Sequence, residues 1–156
     1  MKANLVLIGN GMAGVRALEE LLKLEPEKYN ITVFGEEPYG NYNRIMLSPV
    51  LANEKTIEQI MLNDEQWYID NGITLHKGKK VTEINRIKRE VVADDGTTEP
   101  YDKLLVATGS TSFMLPLPGA DKEGVIGFRD IADVDTMIDI ASKHKKAVVI
   151  GGGLLG

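Results

Sequence analysis

An α/β fold built on a parallel sheet is predicted by three features of the sequence. Residues 5–8 form a wholly apolar run that breaks directly into Gly9-Asn10-Gly11-Met12-Ala13-Gly14. A helical pattern follows and leads to a second apolar run at residues 31–34. A later run, residues 103–107, ends in Thr108-Gly109. Strands of a parallel sheet are buried on both faces, so they read as continuous apolar stretches and not as alternation.

The elements follow in order. Residues 5–8 are the first strand. Gly14, Ala17, Leu18, Leu21 and Leu22 then share one face of a helix, with Glu19 and Lys23 spaced to pair on the other. Pro26 ends that helix, and residues 31–34 are the second strand. Residues 36–48 read as one long loop rich in Pro, Gly, Asn and Tyr, of the length that is usually functional. Residues 56–71 read as one or two short helices stopped at Asn71-Gly72. Short strands are expected at 73–76, 81–84, 90–93 and 97–101, with Asp95-Gly96 as a hairpin turn. Residues 103–107 read as a further buried strand, and Pro116, Pro118 and Gly119 as an irregular connection. Val134, Met137, Ile138 and Ala141 mark a second amphipathic helix. Residues 147–150 read as a last buried strand before Gly151-Gly152-Gly153-Leu154-Leu155-Gly156.

Composition narrows the function classes. With 156 residues, 43% hydrophobic and 26% charged, the chain suits one soluble globular domain. A net charge of −5 argues against nucleic acid or an anionic membrane as partner. The local cluster Lys77, Lys79 and Lys80 reads as solvated surface. The first apolar run is too short for a signal peptide or a membrane span. There is no cysteine, so this stretch holds no disulfide, no cysteine-ligated metal and no redox cysteine pair. That absence fits a cytoplasmic protein. The two histidines, His76 and His144, have no partner at metal-ligand spacing. No metal site is therefore expected. Trp67, Tyr68 and the six methionines read as packing residues.

The chemistry lies in the glycine-rich turns. In Gly9-Asn10-Gly11-Met12-Ala13-Gly14, Gly9 permits the tight turn and Gly11 lets a pyrophosphate reach the backbone. Gly14 lets the helix pack close to the strand. The helix start at Met12 and Ala13 offers N–H groups and a partial positive charge. Glu36, ahead of Glu37, stands where a carboxylate can accept hydrogen bonds from a ribose diol. Ala107, Thr108 and Gly109 end a strand with residues small enough for another backbone to come close. Gly151, Gly153 and Gly156 repeat the first motif directly after an apolar run.

Together these motifs resemble the flavoproteins that carry two dinucleotide-binding domains, and the resemblance covers essentially the whole chain. Two further segments, residues 34–38 and 42–48, look like the large subunit of bacterial NAD(P)H-dependent assimilatory nitrite reductase. Ferredoxin and rubredoxin reductases are related but carry an aspartate at the place of Asn43 and a lysine after the serine, where this chain has Pro49. The resemblance implies a Rossmann-like FAD-binding domain with an inserted antiparallel β-meander. It implies FAD as cofactor, with the backbone of Val81 at the adenine and Asn43, Arg44 and Arg129 near the flavin nucleotide. Residues 1–118 would be the N-terminal portion of a discontinuous FAD domain. Residues 119–156 would be a connection and the first strand of an NAD(P)H domain, truncated at its start.

On this reading electrons pass from NAD(P)H through FAD to iron–sulfur and siroheme centres farther along the protein, where nitrite becomes ammonia. The segment alone is expected to bind FAD weakly or not at all and to leave nitrite unreduced. Two alternatives stay open: a piece of a ferredoxin- or rubredoxin-reductase flavoprotein, and a non-enzymatic nucleotide-binding module. NADH and NADPH are not distinguished, and the catalytic groups are not named by the sequence.

Overall fold

The computed structural model describes residues 2–144 and 146–151. The elements are β1 (Ala3–Ile8), α1 (Met12–Leu24), β2 (Tyr29–Gly35), β3 (Asn41–Tyr42), α2 (Leu47–Leu51), α3 (Ile57–Ile60), β4 (Met61–Asn63), α4 (Glu65–Asp70), β5 (Ile73–Lys77), β6 (Val81–Asn85), β7 (Glu90–Ala93), β8 (Thr98–Pro100), β9 (Lys103–Val106) and α5 (Ile131–Lys143). A short 3₁₀ turn covers Arg44–Met46. The chain divides into two compact units: residues up to 43 with 58–110, and residues 44–57 with those from 111 onward.

The first unit is organised by a four-stranded parallel sheet in the order β5-β2-β1-β9. Its centre is β1, and the alternation of a strand explains its composition. Leu5 and Leu7 point to one face, where Leu18 of α1 packs with Ile31, Val33, Tyr68 and Ile73. Val6 and Ile8 point to the other, where Val91 and Ala93 of the meander pack with Phe34. The meander is the antiparallel sheet β6-β7-β8. A strand covered on both faces has no position for a polar residue, hence the apolar run. Gly96, at φ +84, closes the β7–β8 hairpin through its N–H to the Ala93 carbonyl, 3.0 Å. That bears out the Asp95-Gly96 signal.

Several expectations change. In α1, Val15 takes the buried place assigned to Ala17, which is exposed. The anticipated Glu19–Lys23 pair does not form: Glu19 pairs with Arg16, and Lys23 with Glu20. The stretch 36–48 is largely ordered structure, because Asn41 and Tyr42 are buried and pair with β4. β9 joins the sheet in parallel but as its outer strand, so Val106 is 54% exposed.

In the second unit, α2 packs on α5 through a small apolar core that includes Leu47, Val50, Ile131 and Val134. Asp130 caps α5, accepting from the Asp133 N–H while Asp133 accepts from the Asp130 N–H. The buried face of α5 is centred on Ile131 and Val134. Ile138 and Ala141, expected to be inward, are exposed. Residues 147–150 form no strand: Val148, Val149 and Ile150 are 88%, 75% and 67% exposed. No neighbouring strand among the described residues offers them a ladder.

Candidate functional site

The ends of β1, β2 and β9 meet where the register brings Ile8 opposite both Phe34 and Val106. The Gly9 N–H donates to the Phe34 carbonyl at 2.8 Å, and the Ala107 N–H to the Ile8 carbonyl at 2.8 Å. Gly9 has φ +107, a conformation that side chains disfavour. A Cβ there would lie 2.3 Å from the Ala107 carbonyl oxygen and 2.9 Å from the Thr108 nitrogen. Two backbones thus touch where the sequence places its small residues. Gly14 is also tightly enclosed. A Cβ on it would come 2.9 Å from the Gly9 oxygen, 2.9 Å from Leu7 Cδ1 and 3.1 Å from the Ala107 Cβ.

Gly11 differs from both. A Cβ on it would meet nothing within 4 Å. Its φ of −87 and ψ of 174 suit any residue, so packing and strain do not account for a glycine here. Gly11 caps α1 without a side-chain hydrogen bond, and the first turn, Met12-Ala13-Gly14, carries no acid. The positive end of the helix dipole thus has no capping side chain and no acid of its own first turn to offset it.

At the end of β2, Glu36 is exposed and its carboxylate accepts from Lys80 Nζ at 2.7 Å. Glu37 instead accepts from the Tyr42 hydroxyl at 2.6 Å. Backbone bonds from Lys79 to Gly35, 2.9 Å, and from Gly78 to Glu37, 3.1 Å, tie the 78–80 loop to this strand end. Val81 follows, opposite Ala93 at a register shift. Lys77 and Lys79 are also paired, with Glu65 and Asp95. The basic cluster is thereby neutralised by partners that the sequence spacing did not show. Thr108 is exposed and Gly109 has φ +76.

The remaining residues fall elsewhere. Asn43, in the first unit, donates its N–H to the Ile60 carbonyl at 2.9 Å. In the second unit, the Arg44 guanidinium donates to the Arg129 carbonyl at 3.0 Å, and the Arg129 N–H donates to Asp133 at 2.6 Å. Arg44 and Arg129 are therefore together. Gly151 is exposed at φ +123, and Gly153 and Gly156 lie outside the described residues.

Sequence reasoning missed Asn10. Its Oδ1 accepts from the Tyr68 hydroxyl at 2.7 Å, its Nδ2 donates to the Tyr39 carbonyl at 3.3 Å, and its carbonyl accepts from Asn41 Nδ2 at 3.5 Å. Tyr68 is 1% exposed and stacks edge-on with Trp67. Burial pushes its phenol up to about 12, so the hydroxyl keeps its proton to donate. An asparagine between two glycines carries no periodic signal, and Tyr68 read only as packing.

This arrangement is that of a dinucleotide-binding turn at the carboxyl edge of a parallel sheet. The pyridine nucleotide-disulphide oxidoreductase family matches residues 3–156, and the chain belongs to that family. Within it, the chain is 52% identical over 155 residues to an NAD(P)H nitrite reductase of Bacillus subtilis (strain 168), covering 99% of this chain and 19% of that protein. It is 51% identical over 155 residues to the assimilatory nitrate reductase electron transfer subunit of the same organism, covering 99% and 20%. Among solved structures, NADH:rubredoxin oxidoreductase from Clostridium acetobutylicum superposes with a TM-score of 0.87 at 28% identity, over 99% of this chain and 40% of that one. The chain spans about a fifth of the length of the curated relatives it matches. The disulphide of the family's description has no counterpart here, since the chain has no cysteine. Among the described residues, no helix is long and apolar enough to cross a membrane.

Proposed function

We propose that this chain is the FAD-binding segment of an NAD(P)H-dependent flavoprotein oxidoreductase that feeds electrons toward nitrite reduction to ammonia. The observation that carries the reading is the contrast among the glycines of the turn. Gly9 and Gly14 are required by packing, whereas Gly11 borders empty space that a pyrophosphate would fill. The N–H groups of Gly11, Met12 and Ala13 would hold the phosphates. Glu36 would accept from the ribose hydroxyls, in competition with its Lys80 partner. Ala107, Thr108 and Gly109 leave the strand end low enough for the cofactor to lie along it. Val81 would border the adenine, and Asn43, Arg44 and Arg129 the rest of the nucleotide. Bound FAD would supply the chemistry, accepting a hydride and releasing electrons singly. The protein contributes position, charge and exclusion of water.

Nitrite as the final acceptor is supported by the 52% identity to the nitrite reductase, the 51% relative being an electron transfer subunit of assimilatory nitrate reductase, and siroheme and iron–sulfur centres would lie beyond this segment. So would the nicotinamide site, and Gly151, Gly153 and Gly156 would belong to it. The domain reading places residues 1–118 with FAD and 119–156 with the approach to NAD(P)H. The test uses the natural protein that carries this sequence. Purified, it should show a flavin spectrum that NAD(P)H bleaches and nitrite restores, with ammonia formed. A flavin-free folded protein would overturn the cofactor assignment. Bleaching that only ferredoxin or rubredoxin reverses would overturn the nitrite assignment alone.

A further inference from the structure

The glycine turn must hold its N–H groups still if they are to bind a pyrophosphate, yet glycines supply no rigidity. The described backbone bonds fix only its two ends: Gly9 to Phe34, and Val15 to Gly11 at 3.1 Å. Between them, the hydrogen bonds that restrain the turn run through Asn10. Both ends of its side-chain amide are held. The Tyr68 hydroxyl donates to Asn10 Oδ1, and Nδ2 donates in turn to the Tyr39 carbonyl. Gly35 makes room for this, since a Cβ there would lie 2.9 Å from the Asn10 Cβ. Tyr68 is itself buried in the core cluster with Leu18 of α1. The chain thus links a buried aromatic of the core to the peptide immediately before Gly11.

We infer that Asn10 and Tyr68 are positioning residues for dinucleotide binding: the Tyr68 hydroxyl clamps Asn10 and so pre-sets the phosphate-binding N–H groups of the turn. This rests on the FAD reading above. A pre-set site binds more tightly because it loses less freedom on binding. On this inference neither side chain is a ligand contact, since both are engaged within the protein. Their effect is confined to the phosphate part of the ligand.

The test compares Asn10→Ala, Tyr68→Phe and the double variant in the natural protein after flavin removal. FAD rebinding is read by flavin fluorescence, with ADP and adenosine as competitors, and the turn by hydrogen exchange of a peptide spanning residues 9–15. Each single variant should weaken FAD and ADP about tenfold. Adenosine competition should stay within about twofold, because it has no phosphate to lose. The double variant should be no worse than the worse single one, since both break the same link. Exchange at residues 9–15 should quicken while β2 is unchanged. Tyr68→Phe keeps the packed ring, so it carries the test if Asn10→Ala does not fold. Unaltered FAD binding and unaltered turn exchange in Tyr68→Phe would overturn the inference. If the unsubstituted protein takes up no FAD, the cofactor reading fails. The exchange measurement then still decides whether Tyr68 holds the turn.

Discussion

Residues 5–8 and residues 147–150 are similar stretches of sequence in different surroundings. Both are short apolar runs leading into a glycine-rich motif. The first is flanked by β2 and β9 and roofed by α1 and the meander, and its residues are buried on both sides. The second has no strand beside it among the described residues and is exposed. The difference teaches that such a run becomes a parallel strand only when neighbours supply its hydrogen bonds and cover its faces.

Substitutions can break or sharpen this comparison. The largest effect is expected from Gly9→Val, which combines a positive φ with a backbone contact far below van der Waals distance. It should lower stability by roughly 4 kcal/mol or more, read as loss of the cooperative thermal transition. Next comes Leu7→Ala in the wholly buried centre of β1, with a loss of about 2–5 kcal/mol in chemical denaturation. Tyr68 gives a pH-dependent effect. Its phenol is raised from 10.0 to about 12 in the fold, so the unfolded chain releases that proton first. Stability from this group is complete below pH 10, declines above it and is gone beyond about 12. Denaturation across alkaline pH should show the decline, and Tyr68→Phe should flatten it. Gly11→Ala should leave the unfolding free energy unchanged within about 0.5 kcal/mol while weakening FAD roughly tenfold. The smallest effect falls in the second run. Val149→Ser should shift stability by no more than about 0.5 kcal/mol, against the large loss for the equivalent change in β1. A large loss there would show that the run is covered in solution.

The legible parts of the fold share one property: a local pattern and a tertiary role that agree. β1, β2 and the meander strands read correctly because burial on two faces, or one, writes itself into composition. The packing role of Gly14 read correctly for the same reason, since a Cβ there would run into Leu7 and Ala107; Gly9 reads in the sequence as a turn glycine, and its contact with Ala107 comes from the structure. What failed depended on distant partners. β3 and β4 exist because Asn41 and Asn63 pair across the chain, and two residues give no period to read. Lys80 is exposed, as read, but its pairing with Glu36 across the fold gave no signal in the local sequence. Val15 takes the place expected of Ala17 beside Gly14 and Leu18, on a face where Gly14 lies against Leu7 and Ala107. Asn10 was invisible because its value lies in what grips it.

The contact between Gly9 and Ala107 also dictates an order of events. The two residues stand at opposite ends of the unit's sequence, yet each defines the shape of the other. During synthesis, residues 3–35 can emerge and begin to pair β1 with β2 long before β9 exists. The turn will lack one wall until residue 107 has left the ribosome and β9 has docked alongside β1. Such distant pairings close slowly, since a long loop must be ordered before the contact is gained. Competence to hold a nucleotide should therefore be among the last properties this unit acquires, and a nascent chain that stops short of β9 should have α1 and the strands β1, β2 and β5 but a glycine turn without its Ala107 wall.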